Sequence, residues 1–174
     1  MKTIGLISDT HSYLDPKVFT YFSDCDEIWH AGDIGEIAVA DELSKFKKFR
    51  AVYGNIDGGK VRITYPEHHF FVCEGLSIWM THIAGRPNAY ARGIKEVLQK
   101  RKPDILICGH SHILRVQRDE KFNDVLYINP GAAGKHGFHK VKTLLKFNLH
   151  EKKITDMKAI ELGPRATLDP SSTI

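Results

Sequence analysis

The sequence predicts a single globular α/β domain without a membrane helix, and three observations support this prediction. Short apolar runs, each about the length of a strand buried on both faces, alternate with amphipathic segments whose apolar residues recur at helical spacing. The 174-residue chain has the length of one domain, and its 42% apolar and 26% charged residues are typical of a globular protein. No apolar stretch approaches the roughly 20 residues that a membrane helix needs.

The first half of the chain alternates between predicted strands and one predicted helix. The helix, over residues 38–48, separates two strands and completes a βαβ unit. Gly58 and Gly59 indicate a polar turn, and the turn at Glu74 and Gly75 joins two later strands into a hairpin. The strands predicted in this half are 3–8, 27–31, 50–53, 70–73 and 77–81.

The second half contains one more helix and then a run of strands. The helix is predicted over residues 91–101, because Pro103 prevents its continuation. The strands predicted after it are 105–108, 115–118, 125–128, 143–148 and 153–160, of which the last four suggest antiparallel pairing. We therefore predict one domain over residues 1–163, followed by a small, polar and loosely held tail over residues 164–174.

The charge, the cysteines and the amino-terminal residues indicate which partners and which cellular location to expect. The 25 basic residues exceed the 21 acidic ones by four without forming concentrated blocks, which fits small anions better than duplex DNA and disfavours nucleic acid as a partner. The three cysteines form no CxxC pair, so we predict buried thiols instead of a thiolate zinc site. The amino terminus reaches polar residues without an apolar signal region, and a cytoplasmic location without membrane partners is expected.

Polar side chains of one chemical kind follow five of the predicted strands. In open α/β sheets, the loops at the carboxyl ends of strands converge and bind ligands. We therefore expect the five segments that follow these strands to meet in one site. They are Asp9-Thr-His11, Gly32-Asp33, Gly54-Asn55, His82 and Gly109-His110-Ser-His112.

The possible metal ligands in these five segments are two Asp, one Asn and four His, a set typical of hard-to-borderline divalent metals. Four of the five motifs, taken alone, are typical of ordinary turns or structural positions. The exception is the pair of His110 and His112, which favours a ligand role by itself. Seven ligands exceed the needs of one tetrahedral ion and suit two ions ~3.5 to 4 Å apart with a shared carboxylate, for which Asp33 is the candidate. The reaction that such a pair of cations favours is phosphoester hydrolysis.

In this order, the five elements resemble the calcineurin-like binuclear metallophosphoesterase superfamily, and the short chain is similar to its YfcE-like branch of small prokaryotic phosphodiesterases. The resemblance covers about Met1 to Gly134. It implies a four-layer α/β/β/α sandwich of two facing mixed sheets, with the metals at one edge.

The resemblance also implies the ligands of each ion. The first ion would take Asp9, His11, Asp33 and His112. The second ion would take Asp33, Asn55, His82 and His110. Asp33, Asn55 and His82 would be the catalytic residues in a two-metal-dependent hydrolysis of small phosphodiesters, with in-line attack by a metal-bridging hydroxide. Mn²⁺ is the expected ion for this mixed donor set, with Fe, Zn, Ni and Co as alternatives.

Other positions in the sequence allow more than one interpretation. Many superfamily members have His between the Asn and the Asp of the third motif, where this chain has Ile56, a residue that cannot donate a proton. Arg86 could clamp a substrate phosphate or simply be exposed. For His136 and His139, surface placement is favoured over the substrate side. The alternative functions are a non-catalytic protein-binding scaffold of the same fold, or a phosphomonoesterase or nuclease with the same metals. A homodimer is compatible with the resemblance.

Overall fold

The structure, a computed structural model, describes residues 1–166. Within that range the chain forms two five-stranded sheets, a two-stranded ribbon and four α-helices. In chain order these are β1 (Lys2–Ile7), α1 (Lys17–Tyr21), β2 (Glu27–His30), α2 (Ile37–Phe46), β3 (Lys48–Ala51), α3 (Gly59–Thr64), β4 (His68–Cys73), β5 (Leu76–Thr81), β6 (Gly85–Arg86), β7 (Ala89–Tyr90), α4 (Ile94–Arg101), β8 (Ile105–Ile107), β9 (Leu114–Asp119), β10 (Val125–Pro130), β11 (Val141–His150) and β12 (Lys153–Pro164).

The first sheet has the order β12-β11-β1-β2-β3 and is mixed. Strands β1, β2 and β3 are parallel, and β2 and β3 are joined through α2, which confirms the predicted βαβ unit. Strand β11 returns from the far end of the chain to pair antiparallel with β1, and β12 pairs antiparallel with β11. The last two strands therefore complete the sheet that the first strand begins.

The second sheet has the order β4-β5-β8-β10-β9 and is also mixed. Strands β5, β8 and β10 are parallel, while β4 and β9 pair antiparallel at the two edges. The predicted hairpin of β4 and β5 is confirmed. The predicted antiparallel pairing of the final strands is also confirmed, because β9 pairs with β10 and β11 pairs with β12.

Three apolar clusters show the four layers. The central cluster joins the inner faces of the two sheets and includes Trp29 from the first and Ile107 from the second. A second cluster packs the first three helices, with Leu43 of α2 among them, against the outer face of the first sheet. The third packs Leu98 of α4 and its neighbours against the outer face of the second sheet. The α/β/β/α sandwich implied by the resemblance is therefore the observed architecture.

Two short helices were not predicted. Helix α1 has five residues and α3 has six, so neither is long enough for a helical repeat of apolar residues to stand out in the sequence. Helix α3 begins at Gly59, where a polar turn was predicted. A third difference concerns α4, which starts at Ile94 instead of residue 91. Its N-cap, Gly93, has a φ of 84°, so the helix can begin only after it.

Strand β3 lies two residues earlier than predicted. It covers Lys48–Ala51, whereas the apolar pattern favoured residues 50–53. Because β3 is the edge strand of its sheet, it tolerates the exposed Lys48 and the polar Arg50 within the strand. The apolar residues that misled the prediction, including the buried Val52, follow the strand end.

The carboxyl-terminal strand runs one residue past the predicted domain limit of 163. Pro164 pairs with Val141, and the backbone N–H of Arg165 donates to the carbonyl oxygen of Lys140 at 2.9 Å. Most of the predicted tail, residues 167–174, lies outside the described residues. Among residues 1–166, none of the helices is both long and apolar enough to cross a membrane.

A buried carboxylate ties together the first three strands. Glu27 of β2 is 1% exposed, yet it contacts cations from both neighbouring strands: Lys2 Nζ at 2.6 Å, Lys48 Nζ at 3.1 Å and Arg50 Nε at 2.8 Å. Burial opposes its ionisation, but hydrogen bonds from these cations and from Trp29 lower the pKa of Glu27 to about 2. The carboxylate is therefore ionised, and it holds β1, β2 and β3 in register.

We predict that Glu27→Gln lowers the free energy of unfolding by about 2 kcal/mol at pH 7, because it removes the buried charge to which Lys2, Lys48 and Arg50 donate hydrogen bonds. The pKa of Glu27 lies below its ordinary value of 4.5, so its contribution is complete above pH 4.5 and is lost as the pH falls toward 2. The difference from wild type, measured by urea denaturation, should shrink over that interval. A difference that is constant with pH, or one no larger than that of the exposed Glu42→Gln, would contradict this account.

Candidate metal centre

Six side chains with metal-binding atoms meet where strands of both sheets end. Asp9 and Asp33 lie within three residues of the ends of β1 and β2 in the first sheet. In the second sheet, His82 directly follows β5 and His110 comes shortly after β8. The two edges are joined directly, since His82 Nδ1 lies 2.8 Å from the carbonyl oxygen of Ala31. The predicted convergence of these loops is therefore observed.

The donor atoms form two groups, in each of which they all lie within 4.8 Å of one another. The first group is Asp9, His11 and His112, and the second is Asp33, His82 and His110. Asp33 Oδ2 lies 3.2 Å from Nε2 of His82 in its own group and 3.7 Å from Nε2 of His11 in the other. The carboxylate of Asp33 therefore reaches both groups, which is the position that a bridging ligand needs.

The two remaining predicted site residues lie beside these groups. Asn55 is exposed and lines a cavity of about 450 Å³ together with His82 and Arg62. Arg86 is also exposed and lines a different cavity, of about 330 Å³, which includes His110. The structure thus places Asn55 and Arg86 on cavities that each share one histidine of the second donor group.

The backbone at the donors is in an uncommon conformation. Five of the six donor residues have a positive φ, a region that residues other than glycine seldom occupy and that functional sites concentrate. The values are 54° for Asp9, 47° for His11, 53° for Asp33, 68° for His110 and 57° for His112. The surrounding structure holds the loops in this conformation. The conformation in turn directs the donor side chains toward one another.

The orientation of His82 fits a cation at the second group. Its Nδ1 is hydrogen-bonded to the Ala31 carbonyl oxygen, which can only accept, so the ring proton is assigned to Nδ1. The other ring nitrogen, Nε2, is buried without a hydrogen-bond partner and faces Asp33 Oδ2 at 3.2 Å. A nitrogen lone pair next to a carboxylate oxygen is unfavourable unless a proton or a metal cation lies between the two atoms. The residues present therefore fit a divalent metal.

The electrostatics of the site favour positive charge near the carboxylates. Burial opposes ionisation of Asp33, but the adjacent His82 holds the pKa of Asp33 below its ordinary value. Burial likewise opposes a charged imidazole at His82, yet Asp33 and Asp9 raise the pKa of His82. At His11 and His110 burial dominates and lowers the pKa of each ring. Those two histidines therefore favour the neutral form that binds metals.

Asp57 braces the two loops that carry Asp33 and Asn55. Its side chain is buried and accepts hydrogen bonds from three backbone N–H groups: those of Ile34 at 3.0 Å, Gly35 at 2.7 Å and Gly54 at 2.8 Å. These bonds tie the loop after β2 to the loop after β3. Asp57 therefore has a structural role, because it fixes the loops on which Asp33 and Asn55 lie.

His30 is a fully buried histidine behind the site. Its Nδ1 accepts from the backbone N–H of Gly32 at 3.1 Å, and its Nε2 lies 3.0 Å from Thr10 Oγ1. Because Thr10 Oγ1 donates to the carbonyl oxygen of Ile34, it accepts from His30. Burial lowers the pKa of His30 to about 4, so the ring is neutral and supports the loops that hold Asp9 and Asp33.

His139 lies next to the first donor group, a position that the sequence did not indicate. Surface placement was favoured for it, but its Nδ1 lies 3.2 Å from Nδ1 of His112 and its Nε2 lies 3.0 Å from the carbonyl oxygen of Gly134. The side chain is half-buried against a donor of the first group. His136 is exposed, as favoured, although its ring centroid lies 5.7 Å from that of His11. The only signal in the sequence was the position of both residues just after the glycine-rich turn.

Comparison with known proteins identifies a family and curated relatives. Residues 1–152 match the family model described as the calcineurin-like phosphoesterase superfamily domain. A protein described as a probable metallophosphoesterase of Methanocaldococcus jannaschii is 32% identical over 138 residues, which cover 74% of this chain and 67% of the relative. A second probable metallophosphoesterase, from Methanothermobacter thermautotrophicus, is 30% identical over 134 residues, covering 74% of this chain and 76% of the relative.

Solved structures share the fold. One, described as a novel archaeal phosphodiesterase, has a TM-score of 0.73 at 24% identity and covers 92% of this chain and 99% of its own. Another is Vps29 of Entamoeba histolytica complexed with Zn²⁺, with a TM-score of 0.69 at 17% identity, covering 94% and 99%. At these identities the likeness concerns the fold alone.

We predict that Asp57→Ala lowers the free energy of unfolding by about 3 kcal/mol, because it leaves three largely buried N–H groups without an acceptor. Urea denaturation of the purified variant measures the effect. The matched control is Asp41→Ala, which removes an exposed carboxylate from α2 and should change stability by less than about 0.5 kcal/mol. Equal stability of the two variants would show that Asp57 does not brace the loops.

Proposed function

Because this chain belongs to the calcineurin-like phosphoesterase superfamily, we propose that it is a two-metal-dependent phosphodiesterase acting on small phosphodiesters. Family membership supports a metal-dependent phosphoester hydrolase. The observation that supports two ions is the pair of adjacent donor groups, with the Asp33 carboxylate reaching both. The archaeal phosphodiesterase of similar fold supports the choice of diesters.

The ligands that we propose follow the two donor groups. One ion would bind Asp9, His11, Asp33 and His112, and the other Asp33, Asn55, His82 and His110. Mn²⁺ is our choice for this set of carboxylate, amide and imidazole donors, with Fe, Zn, Ni and Co as alternatives. When bound, two such cations lower the pKa of a coordinated water and neutralise charge that develops on the phosphoryl group.

The protein's own groups would position the reactants for in-line displacement. Asp33 is fixed by the backbone N–H of Ile56, which donates to its Oδ1 at 3.0 Å. Asn55 lines the same cavity as His82, so its amide can orient a phosphate oxygen there. Arg86, on the neighbouring cavity, is a second candidate for phosphate contact. Asp33, Asn55 and His82 are the residues that we propose as catalytic.

The exposed Ile56 bears on the choice of substrate. Its side chain is 47% exposed next to Asn55 and cannot donate a proton to a leaving group. Substrates whose leaving oxygen needs little protonation, such as aryl phosphodiesters, therefore suit this site best. The cavity beside Asn55, of about 450 Å³, is large enough for a small ester substituent.

The alternative of a non-catalytic scaffold rests on the fold likeness to Vps29. A chain that no longer binds metals would have no need for Asn55 or His82, yet His82 belongs to the second donor group and Asn55 lines the cavity that includes His82. The intact donor set, with strained backbone at five of its residues, favours an enzyme. Phosphomonoesterase or nuclease activity with the same metals, a homodimer and a cytoplasmic location stay predictions for measurement.

The central test is reconstitution of metal-stripped protein with each divalent ion, assayed on a panel of phosphate mono- and diesters. We expect turnover to return with Mn²⁺ and to be higher on aryl diesters than on monoesters. Asp33→Asn should lose more than about 100-fold in kcat/KM, beyond the loss of a residue that merely supports a ligand. The exposed His150→Asn is the matched control and should retain activity. Failure of every metal and ester would favour the scaffold.

We predict that Ile56→His increases turnover of alkyl phosphodiesters by a larger factor than turnover of nitrophenyl diesters. A histidine there can protonate a poor leaving group, and general acid catalysis contributes roughly 10²- to 10⁴-fold where it operates. Parallel measurements of kcat on the two ester classes check the effect, with Ile56→Gln as a polar control without an acidic proton. Equal factors for both classes would contradict the role assigned to this position.

A further inference from the structure

We infer that His139 is a positioning residue, which holds the ring proton of His112 on Nδ1 and thereby keeps Nε2 free to bind a cation. The inference deepens the proposed function and rests on it, since it presumes a cation at the first donor group. The residues that carry it are His139, His112 and Gly134.

The hydrogen bonds show which ring nitrogens carry a proton, first in His139 and then in His112. The carbonyl oxygen of Gly134 can only accept, so His139 Nε2, at 3.0 Å from it, carries a proton and donates it. The Nδ1 of a neutral His139 is then a bare acceptor. Since this nitrogen lies 3.2 Å from Nδ1 of His112, the proton between the two rings belongs to His112. His112 Nε2 is left with a lone pair.

That lone pair points into the first donor group. His112 Nε2 lies 3.1 Å from Asp9 Oδ1 and 3.4 Å from Nε2 of His11. Asp9 acts against His139, because a free carboxylate favours a proton on the nitrogen that faces it. A proton on Nε2 would have to leave before a metal could bind there. His139 therefore prepares His112 in the form that a cation requires.

The loop over residues 134–139 packs closely against the His112 ring and carries His139. Gly137 has a φ of 113°, and a Cβ atom at that position would collide with Nδ1 of His112. Only a glycine backbone fits there, so the loop passes directly behind the His112 ring. Arg165, which directly follows β12, holds this loop in place, because its Nε donates to the carbonyl oxygen of His139 at 3.0 Å and its Nη1 to that of Lys135 at 3.1 Å.

Two substitutions separate the hydrogen bond from the bulk of the ring. His139→Asn keeps an oxygen acceptor close to the place of Nδ1, whereas His139→Leu fills similar space without an acceptor. Titration of each metal-free protein with Mn²⁺ alone, followed by calorimetry, measures affinity without turnover. We expect His139→Leu to weaken one site about 10- to 100-fold, as the loss of a residue that orients a metal-binding histidine does elsewhere, and His139→Asn to restore most of that affinity.

Nitrogen NMR of histidine-labelled, metal-free protein reads the His112 tautomer directly. The wild type should carry its proton on Nδ1 and the Leu variant on Nε2. A wild-type proton on Nε2 overturns the inference even if the Leu variant fails to fold, and so does a folded Leu variant with unchanged tautomer and Mn²⁺ affinity. Failure of the proposed function has a different signature: a wild type that binds Mn²⁺ through an Nδ1-protonated His112 and hydrolyses no ester.

Discussion

The burial of two carboxylates at one sheet edge is the constraint on which the site depends. Asp9 is 0% exposed and Asp33 is 2% exposed, and burying a charge is costly unless it is compensated. Among the described residues, the ion-pair partners of these two carboxylates are histidines alone. The carboxylates outweigh burial at His82 and raise its pKa, whereas burial favours neutral rings at His11 and His110, so those two histidines supply little compensating charge. Cations between the carboxylates and the imidazoles would supply it.

The sandwich makes this arrangement possible because each sheet contributes strand ends to the same edge. Glu27 keeps the strands that lead to Asp9, Asp33 and Asn55 in register, and Asp57 ties the loops that follow two of them. The donors then adopt positive φ values that the surrounding hydrogen bonds enforce. Stability in the body of the domain thus offsets strain at its edge, which is how rigid scaffolds hold unfavourable loop conformations for function.

The sequence was sufficient where chemistry followed a buried strand directly. Asp9, Asp33, His82 and the His110 loop could be predicted to converge because parallel strands present their carboxyl ends at one edge. Elements whose placement depends on tertiary contacts were harder. Strand β3 tolerates polar residues because it is an edge strand, and α3 is too short to show a period. His139 contacts His112 only because its loop folds back behind that ring, a packing event that no local pattern records.

Diffraction from crystals soaked in Mn²⁺, with anomalous differences collected at the manganese absorption edge, tests the central claim most directly. We expect two neighbouring anomalous peaks, roughly 3.5 to 4 Å apart, with the Asp33 carboxylate between them. A single peak, two peaks that do not share Asp33, or ions bound elsewhere on the protein would contradict it.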